Sequence, residues 1–243
     1  MRLIFFLSLV FLLGFAGWAT AAKIVMVAAN DPLNASDTDL KAHLEALGFE
    51  VEAHSTNEAQ PVDTSGADGV LVCESVSSGN VTNAYRNVAM PLMTSESYIL
   101  DDIKLAPDGT FDHAVGTGIT IVDPSHPIAG GLSGDVKVAA VAAEICSCSG
   151  IAVEGAIIAN SQASGKPCIA AFEAGAVDME GVAIPARRVY YFAHNNLIPS
   201  LTPEGWELVE NSILWAMGML DSTAVSPDGS AATTWGTLKT GYR

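Results

Sequence analysis

Pro185-Ala-Arg-Arg-Val-Tyr-Tyr-Phe-Ala-His-Asn-Asn196 is the stretch that decides the fold. A strand-like apolar run from Val189 to Ala193 stops abruptly at three hydrogen-bonding side chains, His194, Asn195 and Asn196. A helix follows soon after. Thr202-Pro203-Glu204 supplies an N-cap with proline at the first helical position, and Trp206, Val209, Ile213, Met217 and Leu220 then recur at helical spacing. Strand, polar loop and covering helix form the unit of an open α/β sheet, in which ligands bind beyond the carboxyl ends of the strands. The loop at His194 therefore marks a candidate site.

The same alternation runs through the chain before it. Lys23 to Ala29 is a continuous apolar run, as expected of a central parallel strand covered on both faces. Asn30-Asp31-Pro32-Leu33-Asn34 breaks it, and Ser36 to Asp39 reads as a capping box. Leu40, Leu44 and Leu47 then line one helical face up to Gly48, with His43 as a partly covered helix residue. Glu50 to Ser55 alternates like a strand near an edge, Gly69 to Val76 reads as a buried strand, and Ser77-Ser78-Gly79-Asn80 opens a predicted helix through Arg86. Pro91 to Ser95 is a short strand ending at Glu96. From Ala106 to Gly150 the periodicity weakens, with turns at Gly116-Thr-Gly118 and Asp123-Pro-Ser-His-Pro127, where His126 reads as a turn residue. This segment reads as a β-rich insertion, followed by a hairpin of Gly155 to Asn160 and Cys168 to Ala174. Right-handed crossovers between parallel strands would gather the loops after Ala29, Val76, Ser95 and Ala193 along one edge.

Arg2, the apolar run Leu3 to Phe15 and the small residues Ala19-Thr20-Ala21 read as a secretory signal peptide over residues 1–22, with an uncleaved membrane anchor as the alternative. No later segment is long and apolar enough to span a bilayer. The net charge is −16, and loss of the leader with its single cation, Arg2, leaves −17. So acidic a chain disfavours nucleic acid and anionic lipid as partners. Residues 23–220 read as one domain, and residues 221–243, rich in Ser, Thr, Ala, Pro and Gly, as a tail. It ends in Trp235-Gly-Thr-Leu-Lys-Thr-Gly-Tyr-Arg243, either an unstructured terminus or a sorting or docking peptide.

Cys73, Cys146, Cys148 and Cys168 permit three full disulfide pairings. Cys73 lies in an apolar strand and reads as a small buried hydrophobe. Cys146-Ser-Cys148 lacks the Cys-x-x-Cys spacing of common metal sites, so a disulfide from this pair to Cys168 is favoured over a metal centre. No metal and no cofactor are expected.

Taken in order, the Asn30-Asp31 loop, the strand running into Ser-Ser-Gly-Asn80, Asp123-Pro-Ser-His-Pro-Ile-Ala129, Arg188-Val-Tyr-Tyr-Phe-Ala-His194 and the closing helix with Trp215-Ala216 resemble exported relatives of trehalose-utilisation (ThuA-like) domains. The resemblance spans nearly all of residues 23–220. It implies the class I glutamine amidotransferase-like fold, a flavodoxin-like three-layer α/β sandwich with a mostly parallel central sheet, and a loose association with bacterial carbohydrate metabolism. It does not extend to amidotransferase chemistry. Those enzymes present a cysteine on a tight strand-to-helix elbow and pair it with a histidine, because the thiolate needs a base and adjacent N–H donors for the oxyanion. This chain has no Gly-x-Cys-x-Gly or Gly-x-Ser-x-Gly elbow, although His194 stands where the fold can carry its histidine.

Asn30, Asp31, Asn80, Glu96, His194, Asn195 and Asn196 form the expected ligand-binding set, since carboxylates and amides suit sugar hydroxyls or a hydrated cation. The leading expectation is noncatalytic recognition of a carbohydrate or cell-envelope component. The competing expectation is a hydrolase using His194 with Glu96 or a loop serine, Ser77 or Ser78, although those serines equally cap the next helix. A third is a structural surface module working through its tail.

Overall fold

The computed structural model describes residues 21–220. Residues 1–20 of the expected leader and the whole of the expected tail, residues 221–243, lie outside that span. Among the described residues, no helix is long and apolar enough to cross a membrane.

In chain order the elements are β1 (Lys23–Ala28), α1 (Ala35–Ala46), β2 (Glu50–Ser55), β3 (Gly69–Val72), α2 (Ser78–Val81), β4 (Leu92–Thr94), β5 (Phe111–Gly116), β6 (Gly118–Ile121) and β7 (Gly134–Lys137). They are followed by β8 (Ala143–Cys148), β9 (Ala156–Ser161), β10 (Pro167–Phe172), β11 (Arg188–Tyr190) and α3 (Pro203–Ala216). A nine-stranded sheet runs β2-β1-β3-β4-β11-β10-β9-β6-β7. Its first five strands are parallel, and the remaining four extend it antiparallel. The hairpin expected around residues 161–167 is the β9–β10 pair and belongs to this sheet. The weakly periodic insertion divides its strands: β6 and β7 lengthen the main sheet, while β5 and β8 pair as a separate two-stranded sheet.

Strand alternation builds two cores from single runs. Ile24, Met26 and Ala28 of β1 face α1 and α3, packing with Leu40, Leu44, Leu208, Val209 and Ile213. Val25 and Val27 face the other side, where Tyr85, Ile99, Leu100, Cys146 and Cys148 cover the sheet. The covering on that second face is mostly irregular backbone and the β5–β8 sheet. Cys168 packs in the first core, and all four cysteines are buried free thiols, so the expected disulfide to the Cys146-Ser-Cys148 pair is absent. Cys168 groups with the helix-side core, and Cys146 and Cys148 with the other.

The cap of α1 lies two residues before the expected capping box. Asn34 Oδ1 accepts the Asp37 N–H at 2.8 Å, and Asn34 Nδ2 donates to Asp37 Oδ2 at 2.8 Å. The helix expected through Arg86 stops after one turn. Asn80, Thr82 and Asn83 are weak helix formers whose polar groups compete for the backbone, and Thr82 takes a φ of 45°. His43 on α1 stacks on Trp206 of α3, with ring centroids 3.5 Å apart. His126 caps the 3-10 turn Pro127–Ala129, accepting the Ile128 N–H at 3.3 Å.

The expected Thr202 cap is present: its hydroxyl accepts the Gly205 N–H at 3.1 Å and donates to Lys137 O at 2.9 Å, which ties α3 to the end of β7. Gly205 permits this approach, because a Cβ there would lie 2.2 Å from Val138 O. Gly205→Ala is expected to destabilise the protein by about 2 kcal/mol, the backbone clash outweighing alanine's better helix propensity. Urea unfolding checks this, and an unchanged midpoint would contradict the packing.

Candidate functional site

The loops after β3, β4 and β11 converge at the carboxyl edge of the parallel strands and line a cleft of about 490 Å³. The loop after β1 is tied to them by the Ala29 N–H donating to Ser75 Oγ at 3.1 Å, and α1 by Ser36 Oγ donating to Asn195 O at 2.8 Å. The β5–β8 sheet closes the remaining side. It reaches the cleft because β8 continues the pairing of the β11 segment, through an Ile145–Ala193 bridge and a Cys146 N–H to Phe192 O bond of 3.0 Å.

Of the expected residues, Glu96, His194, Asn195, Asn196, Ser77 and Ser78 line this cleft. Asn30 and Asp31, on the loop after β1, and Asn80, in α2, do not line it and stand exposed. Ser77 occupies the N-cap position of α2, but its side chain makes no capping bond. Glu74, His113 and Glu144 are the functional side chains that the sequence reading missed. Glu74 falls inside a run that reads as buried strand through Val76, whereas β3 ends at Val72 and releases Glu74 to the cleft. A carboxylate interrupting an apolar run was the available signal. His113 and Glu144 come from β5 and β8, across the weakly periodic segment, and nothing local to either residue announced their arrival.

His194, 9% exposed, is paired with Glu74 rather than with Glu96 as expected. Its Nε2 lies 2.9 Å from Glu74 Oε1 and 3.6 Å from Glu144 Oε2. Its Nδ1 accepts the Asn196 N–H at 3.1 Å, so the neutral ring carries its proton on Nε2 and donates it to Glu74. Glu74 is oriented by the Asn195 N–H, which donates to Oε2 at 3.0 Å, and Glu144 by Asn196 Nδ2 at 2.6 Å from Oε2. His113 packs edge-on to His194, centroids 5.0 Å apart. Its Nε2 lies 3.2 Å from Ser97 Oγ, which is 2.9 Å from the Tyr190 hydroxyl. Burial, reinforced by His194, lowers the His113 pKa and favours its neutral form.

Glu96 is 3% exposed and accepts the Tyr98 N–H at 2.7 Å through Oε1. Burial raises its pKa to about 8, only partly opposed by that bond, and Glu74 adds to the rise. Glu96 is thus an uncharged acid at neutral pH, facing the same cleft as a histidine–carboxylate pair. Neither neighbouring strand end presents a cysteine to the cleft: β3 runs into Cys73-Glu74-Ser75 and β4 into Ser95-Glu96-Ser97. Cys73 is buried in the helix-side core, and burial pushes its thiol pKa well above the usual value. Glu74, His113 and His194 also form a group whose potential ligand atoms lie within 4.8 Å of one another, where the sequence reading expected no metal centre.

No family model matches the chain, and no curated protein matches it. Solved structures do match over most of its length. A putative GMP synthase subunit from Thermoplasma acidophilum superposes with a TM-score of 0.55 at 13% identity, covering 82% of this chain and 94% of that one. A structure of PurLQS from Thermotoga maritima gives 0.46 at 11% identity, covering 80% and 99%. A glutamine amidotransferase from Thermotoga maritima gives 0.45 at 8% identity, covering 71% and 75%. The first likeness shows the fold: the chain has the class I glutamine amidotransferase-like α/β architecture.

Proposed function

We propose that this chain is an exported, ThuA-like domain that recognises a carbohydrate or another hydroxyl-rich component of the cell envelope, holding it in the cleft beyond β3, β4 and β11 without turning it over. The observation that carries this reading is the cleft's lining: carboxylates, imidazoles, amides and hydroxyls with little apolar wall, in a volume suited to a small ligand. Such a surface offers both donors and acceptors, as sugar hydroxyls require. The absence of an accessible cysteine nucleophile argues against amidotransferase chemistry, since Cys73 is buried with a raised thiol pKa.

A second reading, hydrolysis of a sugar-related substrate, is favoured by one feature. Glu96 stays protonated at neutral pH while His194 and Glu74 stand in the same cleft, so a proton donor and a histidine–carboxylate pair are available together.

Screening the secreted protein against an oligosaccharide panel separates the readings. Binding without turnover, weakened about 10-fold or more by His194→Ala and by Glu96→Ala, is the expected result, because each variant removes a polar partner from the cleft; circular dichroism checks that both, truncated at buried positions, remain folded. Turnover abolished by His194→Ala would establish the hydrolase instead. Binding unchanged in both variants would place recognition elsewhere.

A further inference from the structure

We infer that the cleft holds one divalent transition-metal ion on Glu74, His113 and His194. The inference rests on the same cleft as the proposed recognition function but not on the ligand being a carbohydrate. The three residues come from three separate segments, the loop after β3, strand β5 and the loop after β11, and still bring one ligand atom each within 4.8 Å of the others. Two imidazoles and one carboxylate suit zinc, cobalt, nickel or iron, whereas calcium and magnesium call for oxygen ligands.

Three further observations point the same way. The ligands are oriented from behind, as metal ligands are: Glu74 by the Asn195 N–H at 3.0 Å and His113 by Ser97 Oγ at 3.2 Å. Glu144, 3.6 Å from His194 Nε2, supplies a second carboxylate at the rim. The lining of the cleft includes no lysine or arginine, so no fixed cation there competes for the Glu74 carboxylate.

With Asn196 N–H donating to His194 Nδ1, the ring proton sits on Nε2 and bonds Glu74 Oε1. A metal at Nε2 replaces that proton. The ring then carries its proton on Nδ1, the Asn196 contact opens, and no net proton is gained or lost by the neutral imidazole. Metal uptake would therefore exchange the Glu74–His194 hydrogen bond for ligation of one ion by both residues.

Cobalt(II) binding to the chelator-stripped, folded protein tests this, because the ion reports its coordination through visible absorption. Calorimetry with zinc gives the affinity. One equivalent of either ion is expected, with affinity reduced about 10-fold or more in Glu74→Gln and in His113→Gln, and unchanged in His126→Gln, whose ring lies outside the cleft. Circular dichroism checks that each variant is folded, and the milder Glu74→Gln, which keeps the side-chain shape, decides the case if His113→Gln is not. No stoichiometric binding to wild type, or binding insensitive to Glu74→Gln, overturns the inference. Repeating the oligosaccharide screen in excess chelator keeps the two claims apart: sugar binding that persists there shows recognition independent of the ion, while failure of cobalt and zinc to bind defeats the metal site alone.

Discussion

Wild-type protein is expected to lose stability as pH rises from about 4.5 through about 8, and Glu96→Gln to suppress most of that loss. Glu96 ionises near 4.5 in water but near 8 in the folded chain, because burial disfavours its charge. Its folded pKa is raised, so the neutral carboxyl's contribution is fully present below pH 4.5. As pH rises the unfolded state ionises first and gains, and the contribution is gone once the folded carboxyl also ionises at about 8. The shift corresponds to roughly 5 kcal/mol. Glutamine keeps the acceptor for the Tyr98 N–H and removes the titration. Urea midpoints of both proteins at pH 5 and pH 8.5 check this. Parallel curves would show that Glu96 is charged in the fold or solvated.

Arg188→Met is expected to destabilise the protein by about 3 kcal/mol or more, a fall in melting temperature of roughly 6–12 °C. Arg188 opens β11 with its side chain buried, 2% exposed. Its guanidinium donates to the carbonyls of Met90 and Val88 at 2.7 Å each, and to those of Ala186, Arg187 and Arg86 at 3.1, 3.2 and 3.4 Å. Burial lowers its pKa to about 10, which leaves it charged at neutral pH. These bonds tie the irregular segment before β4 to the start of β11, and Met93 and Val189 are then paired in register. Methionine restores the volume and leaves the carbonyls without donors. Lysine loses the planar fork that reaches both segments at once, so Arg188→Lys is expected to recover little. Thermal melts of the three proteins decide it; a melting temperature within a degree or two of wild type for Arg188→Met would contradict this account.

Arg188 also shows where reading the sequence reached its limit. Of the run from Val189 to Ala193, legible as strand from its apolar residues, only the start lies in β11, which ends at Tyr190, and the buried arginine that opens it has no apolar signature. Periodicity revealed β1, β2, the edge position of β2, the Thr202 cap and the convergence of loops at His194, because each is set by residues close together in the chain. Tertiary context decided the rest. The helix expected through Arg86 ended at Val81, and its place over the sheet was taken by side chains such as Tyr85 on a turn and Ile99 in the 3-10 helix Ser97–Ile99. The expected disulfide is absent: Cys168 groups with one core and the Cys146-Ser-Cys148 pair with the other, which spacing does not carry.

The candidate site divides the same way. His194 and Glu96 were legible because each ends a strand-like run at a polar residue. Their actual partners were not. Glu74 required knowing that β3 ends at Val72, and His113 and Glu144 required the β5–β8 sheet to fold over the strand ends. Asn30, Asp31 and Asn80 are the converse case, residues of suitable chemistry that do not line the cleft.

The most direct test of the cleft as the functional site is ring-proton NMR of its histidines in protein labelled only at histidine. The chain has five: His113 and His194 in the cleft, and His43, His54 and His126 outside it. Each signal is assigned by a His→Gln variant, and the protein is titrated with the tightest-binding oligosaccharide of the screen. The account predicts that the His113 and His194 signals shift together along one saturation curve while the other three stay in place. Saturation that moves His126 or His43, or leaves both cleft histidines unmoved, would contradict it.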